Sequence, residues 1–139
     1  MDPLTFAQGP HLAAIFTAIL AEQLIGFAYY HPKTLSPAWL KAWKLNPKKI
    51  DRRDPVPFAL SVLKSAFAAM TLDYLIRHLG WGGAMGGLRA ALYVFLGFSA
   101  LSLATHYRFA QVSAKAALID LGYGLLALCS SGLILGAWR

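Results

Sequence analysis

The sequence predicts an all-α protein: an integral membrane four-helix bundle with a short interfacial helix in its first loop. Three observations predict this class. Of the 139 residues, 58% are hydrophobic and 14% are charged, whereas a soluble domain has roughly 45–50% apolar and about 25% charged residues. Four apolar stretches each reach about 20 residues, the length that crosses a hydrocarbon core of about 30 Å. None of them alternates with a period of two residues, so helices are expected rather than barrel strands.

The four predicted spans cover about residues 10–30, 56–79, 84–105 and 114–138, and residues 1–139 are interpreted as a single transmembrane domain. The first span is not expected to be a cleavable signal peptide, because no basic residue precedes Lys33 and the polar pair Glu22-Gln23 interrupts its centre. Short turns join the last three spans, and short turns favour antiparallel neighbours in a bundle.

The long connection between the first two spans carries four prolines, which preclude a continuous helix. Within it, Ser36 can cap a short helix with Pro37 at its first position. Trp39 and Trp43 would share one face of this short helix. This pattern predicts a helix that lies in the membrane interface with its indoles at headgroup depth. The alternative is a loop whose tryptophans pack on the end of the bundle. Four aromatic residues are the predicted interfacial anchors: Tyr29, Tyr30, Trp39 and Trp43.

The basic residues predict an orientation. Of the 13 Lys and Arg residues, nine fall in the first and third loops, which share one side of the membrane. The long loop is therefore predicted on the cytoplasmic-equivalent side of a bacterial or organellar inner membrane, with both termini opposite. The cluster of Lys48, Lys49, Arg52 and Arg53 is interpreted as a topology signal that touches anionic lipid. No nucleic-acid partner is expected, because no nucleic-acid-binding motif accompanies these charges.

Ionised groups inside the spans are costly in lipid and usually pair within the bundle. Glu22, Lys64 and Asp120 lie at similar distances, about 9–12 Å, from the predicted inner ends of three spans. We therefore predict an intramembrane charge cluster in which Lys64 is shared by Glu22 and Asp120.

A second, outer layer is predicted to pair Asp73 with Arg89 across the glycine-rich turn. Arg77 is a competing partner, because it follows Asp73 by four residues on the same helix face. Small residues in spans permit close helix approach. Four glycines are predicted to have this packing role: Gly26, Gly122, Gly132 and Gly136.

The sequence offers little for catalysis or metal binding. Four histidines have no metal-ligand spacing and Cys129 is the single cysteine, so neither a metal nor another cofactor is expected. Motifs of serine hydrolases, nucleotide-binding loops and zinc peptidases are absent from the sequence, and the protein is not expected to be an enzyme.

Two stretches resemble the small membrane family known as domain of unknown function 1761. They are residues 21–30 with 37–42, and residues 118–123 continuing to Gly136. The chain departs from the family pattern by having Tyr29 where tryptophan is expected. The resemblance implies a four-span membrane protein and no particular activity. It marks five positions to probe: Gly26, Tyr29, Tyr30, Trp39 and Asp120.

Two functions follow as expectations. The first is a small non-enzymatic membrane protein, an accessory or structural subunit of a membrane complex or a homo-oligomer, whose partners are the lipid bilayer and other subunits or itself. The alternative is a small transporter or proton/ion conductor that uses Glu22, Lys64 and Asp120. A lipid-modifying enzyme is a weaker third idea, because no exposed acid/base pair supports it.

Overall fold

The computed structural model describes residues 9–51 and 53–139, and over these residues the chain is helical and contains no strand. Residues 1–8 and Arg52, one member of the predicted basic cluster, lie outside the described residues. Six α-helices follow one another: α1 (Leu12–Tyr29), α2 (Ser36–Ala42), α3 (Val56–Leu79), α4 (Ala84–Val94), α5 (Leu101–Phe109) and α6 (Ala114–Ala137). The predicted all-helical fold is confirmed.

Within the described residues, four helical segments are long and apolar enough to cross a membrane. They are α1, α3, α6 and a continuous segment of 26 residues from Ala84 to Phe109. The last of these combines α4 and α5 through a π-helical stretch, Phe95–Ala100. It extends four residues beyond the predicted third span, and the sequence pattern did not indicate the π-helical stretch.

Local sequence explains where several helices begin and end. Helix α3 begins after Pro55 and ends at Gly80, whose φ of 64° is a left-handed conformation that suits glycine. Helix α6 begins after Ser113, whose hydroxyl accepts the amide of Ala116 at 3.2 Å. The short helix α2 forms as predicted, but Leu35 rather than Ser36 is its N-cap, and no side chain caps it.

Gly9, the first described residue, and Arg139 lie at the opposite end of the bundle from the long loop. Near one end, Arg139 donates to the carbonyl of Gly9 at 3.4 Å; we call this the terminal end. The connection that contains α2 lies at the other, which we call the loop end. This agrees with an even number of spans, whereas the side of the membrane that each end faces stays a prediction.

Small residues and a few large ones, among them Leu72 and Leu135, fill the interior, whereas many large apolar side chains face outward. Ala14, Ala18 and Ala91 are fully buried at the contacts between helices. By contrast, Phe16 and Phe98 have more than two thirds of their surface exposed. This distribution is typical of helices that pack closely against one another and present their bulky side chains to lipid.

The contact between α4 and α6 depends on three glycines. A Cβ at Gly87 would overlap the carbonyl oxygen of Gly132, and a Cβ at Gly132 would overlap that of Gly87. A Cβ at Gly136 would come within 2.9 Å of the Cα of Gly87. The predicted packing residues Gly132 and Gly136 therefore lie against α4, and Gly87 is the partner that the sequence analysis did not identify.

Candidate functional site

Glu22 lies at the centre of a polar cluster formed by α1, α3 and α6. Its side chain is completely buried. One oxygen, Oε2, accepts hydrogen bonds from Lys64 Nζ at 2.9 Å and from Ser65 Oγ at 2.7 Å. The other, Oε1, accepts from Ser131 Oγ at 2.8 Å. The buried charge therefore has three donors from two other helices, as a buried carboxylate requires. We call these four residues the Glu22 cluster.

Gln23 extends the polar contacts between α1 and α3. Its Nε2 donates to Ser65 Oγ at 2.9 Å, and its Oε1 accepts from Ser61 Oγ at 3.3 Å. The neighbouring Lys64 differs from the rest, because its side chain is 50% exposed although it bonds Glu22. Its Nζ also lies 5.3 Å from the centroid of the Tyr123 ring, a cation–π distance.

Asp120 lies in a separate site at the loop end, surrounded by aromatic donors. Its Oδ1 accepts from Trp39 Nε1 at 2.7 Å and from the Tyr30 hydroxyl at 3.0 Å. Its Oδ2 accepts from Trp43 Nε1 at 3.1 Å and from the Tyr107 hydroxyl at 3.3 Å. The carboxylate thus joins α2, α5 and the end of α1 to α6. We call Asp120 and its four donors the Asp120 cluster.

The rings of the Asp120 cluster also contact one another. Tyr30 packs edge-on against Trp39 at a centroid distance of 5.7 Å, and Trp43 packs edge-on against Tyr107 at the same distance. Tyr30 follows the last residue of α1. Burial first, and then the charge of Asp120, raise the pKa of its phenol. The phenol, which is already protonated at neutral pH with its ordinary pKa, therefore keeps donating to the carboxylate at more alkaline pH as well.

The predicted sharing of Lys64 between Glu22 and Asp120 is wrong. The structure brings Lys64 and Glu22 together, but on α6 the residue that meets Glu22 is Ser131. Ser131 follows Asp120 by 11 residues, which is about 16 Å along a helix. The prediction assumed that the spans end at one level, whereas α6 extends past the end of α1 at the loop end.

The predicted interfacial anchors also have a different orientation. The indole nitrogens of Trp39 and Trp43 point to Asp120 rather than to lipid headgroups. The hydroxyl of Tyr29 donates to the carbonyl of Ile119 at 2.9 Å, and Tyr30 is bound to Asp120. The predicted short helix is therefore present, whereas Trp39 in it and Trp43 just after it pack on the end of the bundle. The alternative interpretation expected this packing of the tryptophans, but expected a loop in place of the helix.

Two glycines make room for these aromatic side chains. A Cβ at Gly26 would lie 3.3 Å from the hydroxyl of Tyr123, and one at Gly122 would lie 2.7 Å from that of Tyr29. Both were predicted as packing residues. The structure places them against tyrosine side chains rather than against another helix backbone.

The predicted pair of Asp73 and Arg89 is wrong. Asp73 is buried and accepts from Arg77 Nε at 3.0 Å and from Arg139 Nη2 at 2.7 Å. Arg77 is the competing partner that helical spacing indicated, whereas Arg139 comes from the end of α6. Arg89 is exposed, and its guanidinium lies 5.6 Å from the centroid of the Trp81 ring. The charge of Asp73 is therefore neutralised by Arg77 on the same helix and by Arg139, which follows α6.

A family comparison covers nearly the whole of this architecture. The family model described as "Protein of unknown function (DUF1761)" matches residues 13–136. The chain belongs to the DUF1761 family. Neither the curated proteins nor the solved structures contain a significant match to it. The DUF1761 match includes Glu22, Asp73 and Asp120, whereas Arg139 follows its last matched residue.

Whether this DUF1761 protein can bind a metal ion or use an acid in catalysis depends on which of its carboxylate oxygens are already hydrogen-bonded. Within residues 9–51 and 53–139, no group of three or more His, Cys, Asp or Glu side chains is close enough to hold a metal ion. Both oxygens of Glu22 and both of Asp120 already accept hydrogen bonds from the chain itself. These carboxylates therefore act as acceptors that hold helices together.

Proposed function

We propose that the protein is a small non-enzymatic integral membrane protein that works by association, either with itself or as an accessory subunit of a larger membrane complex. One observation carries this proposal. Lys64 bonds Glu22 at a level about 10 Å from the loop end of α1, yet half of its side chain is exposed. Lipid chains do not solvate an ammonium group. We infer that a polar group from outside the chain covers this face and completes the contacts that Glu22 and the Tyr123 ring give the ammonium.

The residues around Lys64 fit such an interface. Leu60 and Phe67 lie four residues before and three residues after it on α3, so all three share one helix face. Their exposures are 59% and 60%. A partially exposed charge bordered by large apolar side chains resembles a helix–helix contact surface more closely than a uniformly lipid-facing one. We call Leu60, Lys64 and Phe67 the Lys64 face.

The absence of an enzymatic role is also part of the proposal. A general acid or base needs a proton-transferring atom within reach of a substrate. Glu22 is buried behind Lys64, Ser65 and Ser131, and Asp120 is surrounded by its aromatic donors. Carboxylates that are already hydrogen-bonded by the chain support a structural role, in which they hold helices together.

The association is tested by native mass spectrometry of gently solubilised native membranes. We expect the parent chain to appear in an oligomer or bound to another membrane protein, and a Phe67→Ala variant to lose most of that species. Phe98→Ala is the matched control, because Phe98 is 79% exposed on a different span. A parent chain that is entirely monomeric, or equal losses in both variants, would contradict the proposal.

A second candidate is a small proton or ion conductor, formed when several copies enclose a path. It is favoured by the contact between the buried Glu22 and the exposed Lys64, which links the bundle interior to its surface. Asp120 would not belong to this path, because it lies in its own cluster. A pH-gradient assay in liposomes separates the two candidates: a flux that disappears in Glu22→Gln favours conduction, and its absence favours association.

A further inference from the structure

A cavity of about 660 Å³ lies between α1, α3 and the long loop. Phe27 and Phe58 line it, and both have more than half of their surface exposed, so the cavity opens on the apolar surface of the bundle. Ser61 at its deep end lies about 8 Å into α3, counted from Val56. The cavity therefore extends from the loop into the depth that the upper part of an acyl chain occupies.

The deep part of this cavity has few polar groups left for a ligand. Gln23 and Ser61 are bonded to each other, and Gln23 is also bonded to Ser65. The remaining wall is apolar or aromatic, with Phe27, Phe58 and Tyr123 among its residues. In a membrane, lipid is the solvent of such a surface, so an acyl chain is the chemistry that fills the deep part.

The mouth of the cavity carries two carboxylates, and His31 also lines the cavity. Asp51 and Asp54 line it, and no lysine or arginine does so among the described residues. Their Oδ1 atoms accept the backbone amides of Arg53 at 2.9 Å and of Val56 at 3.0 Å. These bonds fix both carboxylates, and each Oδ2 has no hydrogen-bond partner among the described residues. Two fixed, unpaired carboxylate oxygens complement a protonated amine that carries several N–H donors.

We propose that this cavity binds an aminophospholipid of the ethanolamine type, with one acyl chain between α1 and α3 and the ammonium against Asp51 and Asp54. The phosphate of such a lipid also finds positive charge in the same segment. Lys48, Lys49 and Arg53 lie within three residues of these aspartates in the sequence. A choline headgroup has no N–H to donate and a glycerol headgroup has no positive charge, so the expected preference for ethanolamine depends on Asp51 and Asp54, whereas the basic residues attract the phosphate of all three lipids.

The test uses the delipidated full chain in detergent and equimolar ethanolamine, choline and glycerol phospholipids with identical acyl chains. Native mass spectrometry of the monomer peak is expected to show the ethanolamine lipid adduct in about fivefold or greater excess. The double variant Asp51→Asn with Asp54→Asn is expected to bring the three adducts to near parity. The double variant Asp51→Glu with Asp54→Glu keeps both charges and is expected to retain the preference.

Three results would overturn the proposal: equal adducts on the parent chain, an unchanged preference in the double asparagine variant, or displacement of the lipid by soluble phosphoethanolamine as efficiently as by the lipid itself. The last would show that the acyl chain contributes nothing. Both aspartates are exposed, so the variants are expected to fold with the helix content of the parent. Because the readout is taken on the monomer, it does not depend on the proposed association.

Discussion

A Gly87→Ala variant is expected to lose the packing of α4 on α6 and to unfold far more readily than the parent. The added methyl group would overlap the backbone carbonyl of Gly132, and backbone atoms cannot move away as a flexible side chain can. Overpacking costs about 1–3 kcal/mol and occasionally more. We expect a loss of unfolding free energy of about 3 kcal/mol, measured by circular dichroism during titration of a mild detergent with a denaturing one.

Gly97→Ala is the matched control for this prediction. Gly97 lies in the same membrane-compatible segment, and a Cβ built there meets nothing within 4 Å. Its substitution is expected to leave the unfolding free energy within about 1 kcal/mol of the parent, because only helix propensity changes. If Gly87→Ala and Gly97→Ala had the same stability, the close crossing of α4 and α6 would be wrong.

An Asp120→Leu variant is expected to release α2 from the bundle. Leucine accepts no hydrogen bond, so four donors lose their partner, including Trp39 and Trp43. Hydrogen bonds to charged groups contribute about 1.5–3 kcal/mol each. Because the released donors at the loop end regain water, we expect a net loss of about 3 kcal/mol in total. The measurement is the unfolding free energy, together with a red shift of tryptophan fluorescence.

Asp51→Asn provides the comparison for the Asp120 variant. Asp51 is exposed, and its only hydrogen bond among the described residues is to the adjacent loop backbone. Its variant is expected to keep the parent fluorescence and a stability within about 0.5 kcal/mol. Asp120→Leu with parent-like fluorescence would mean that the tryptophans are held by something other than this carboxylate.

The spans and the pair of Glu22 with Lys64 could be predicted because they depend on local quantities. Span length follows from bilayer thickness, and a buried acid in lipid needs a donor at its own depth. The position of Asp120 could not be predicted in the same way. The position of Asp120 depends on the axial offset between α6 and α1, and this offset is a property of tertiary packing. The aromatic residues that surround Asp120 were all visible in the sequence, but their amphipathic pattern alone favoured lipid headgroups.

The errors at the terminal end have a similar origin. Helical spacing correctly indicated Arg77 as a partner of Asp73, because residues four apart on a helix are neighbours. Arg139 was missed because only the assembled bundle brings the end of α6 to α3. Gly87 was also missed, since a glycine near a turn looks like a flexible joint until the facing backbone is known.

Coupling free energies from double-mutant cycles test most directly whether Glu22 and Asp120 are held by separate sets of donors. Lys64→Met is combined with Glu22→Gln in one cycle and with Asp120→Asn in another, and each unfolding free energy is measured. We expect a coupling above about 1 kcal/mol for Lys64 with Glu22, and additivity within about 0.5 kcal/mol for Lys64 with Asp120. A larger coupling of Lys64 with Asp120 than with Glu22 would contradict this expectation.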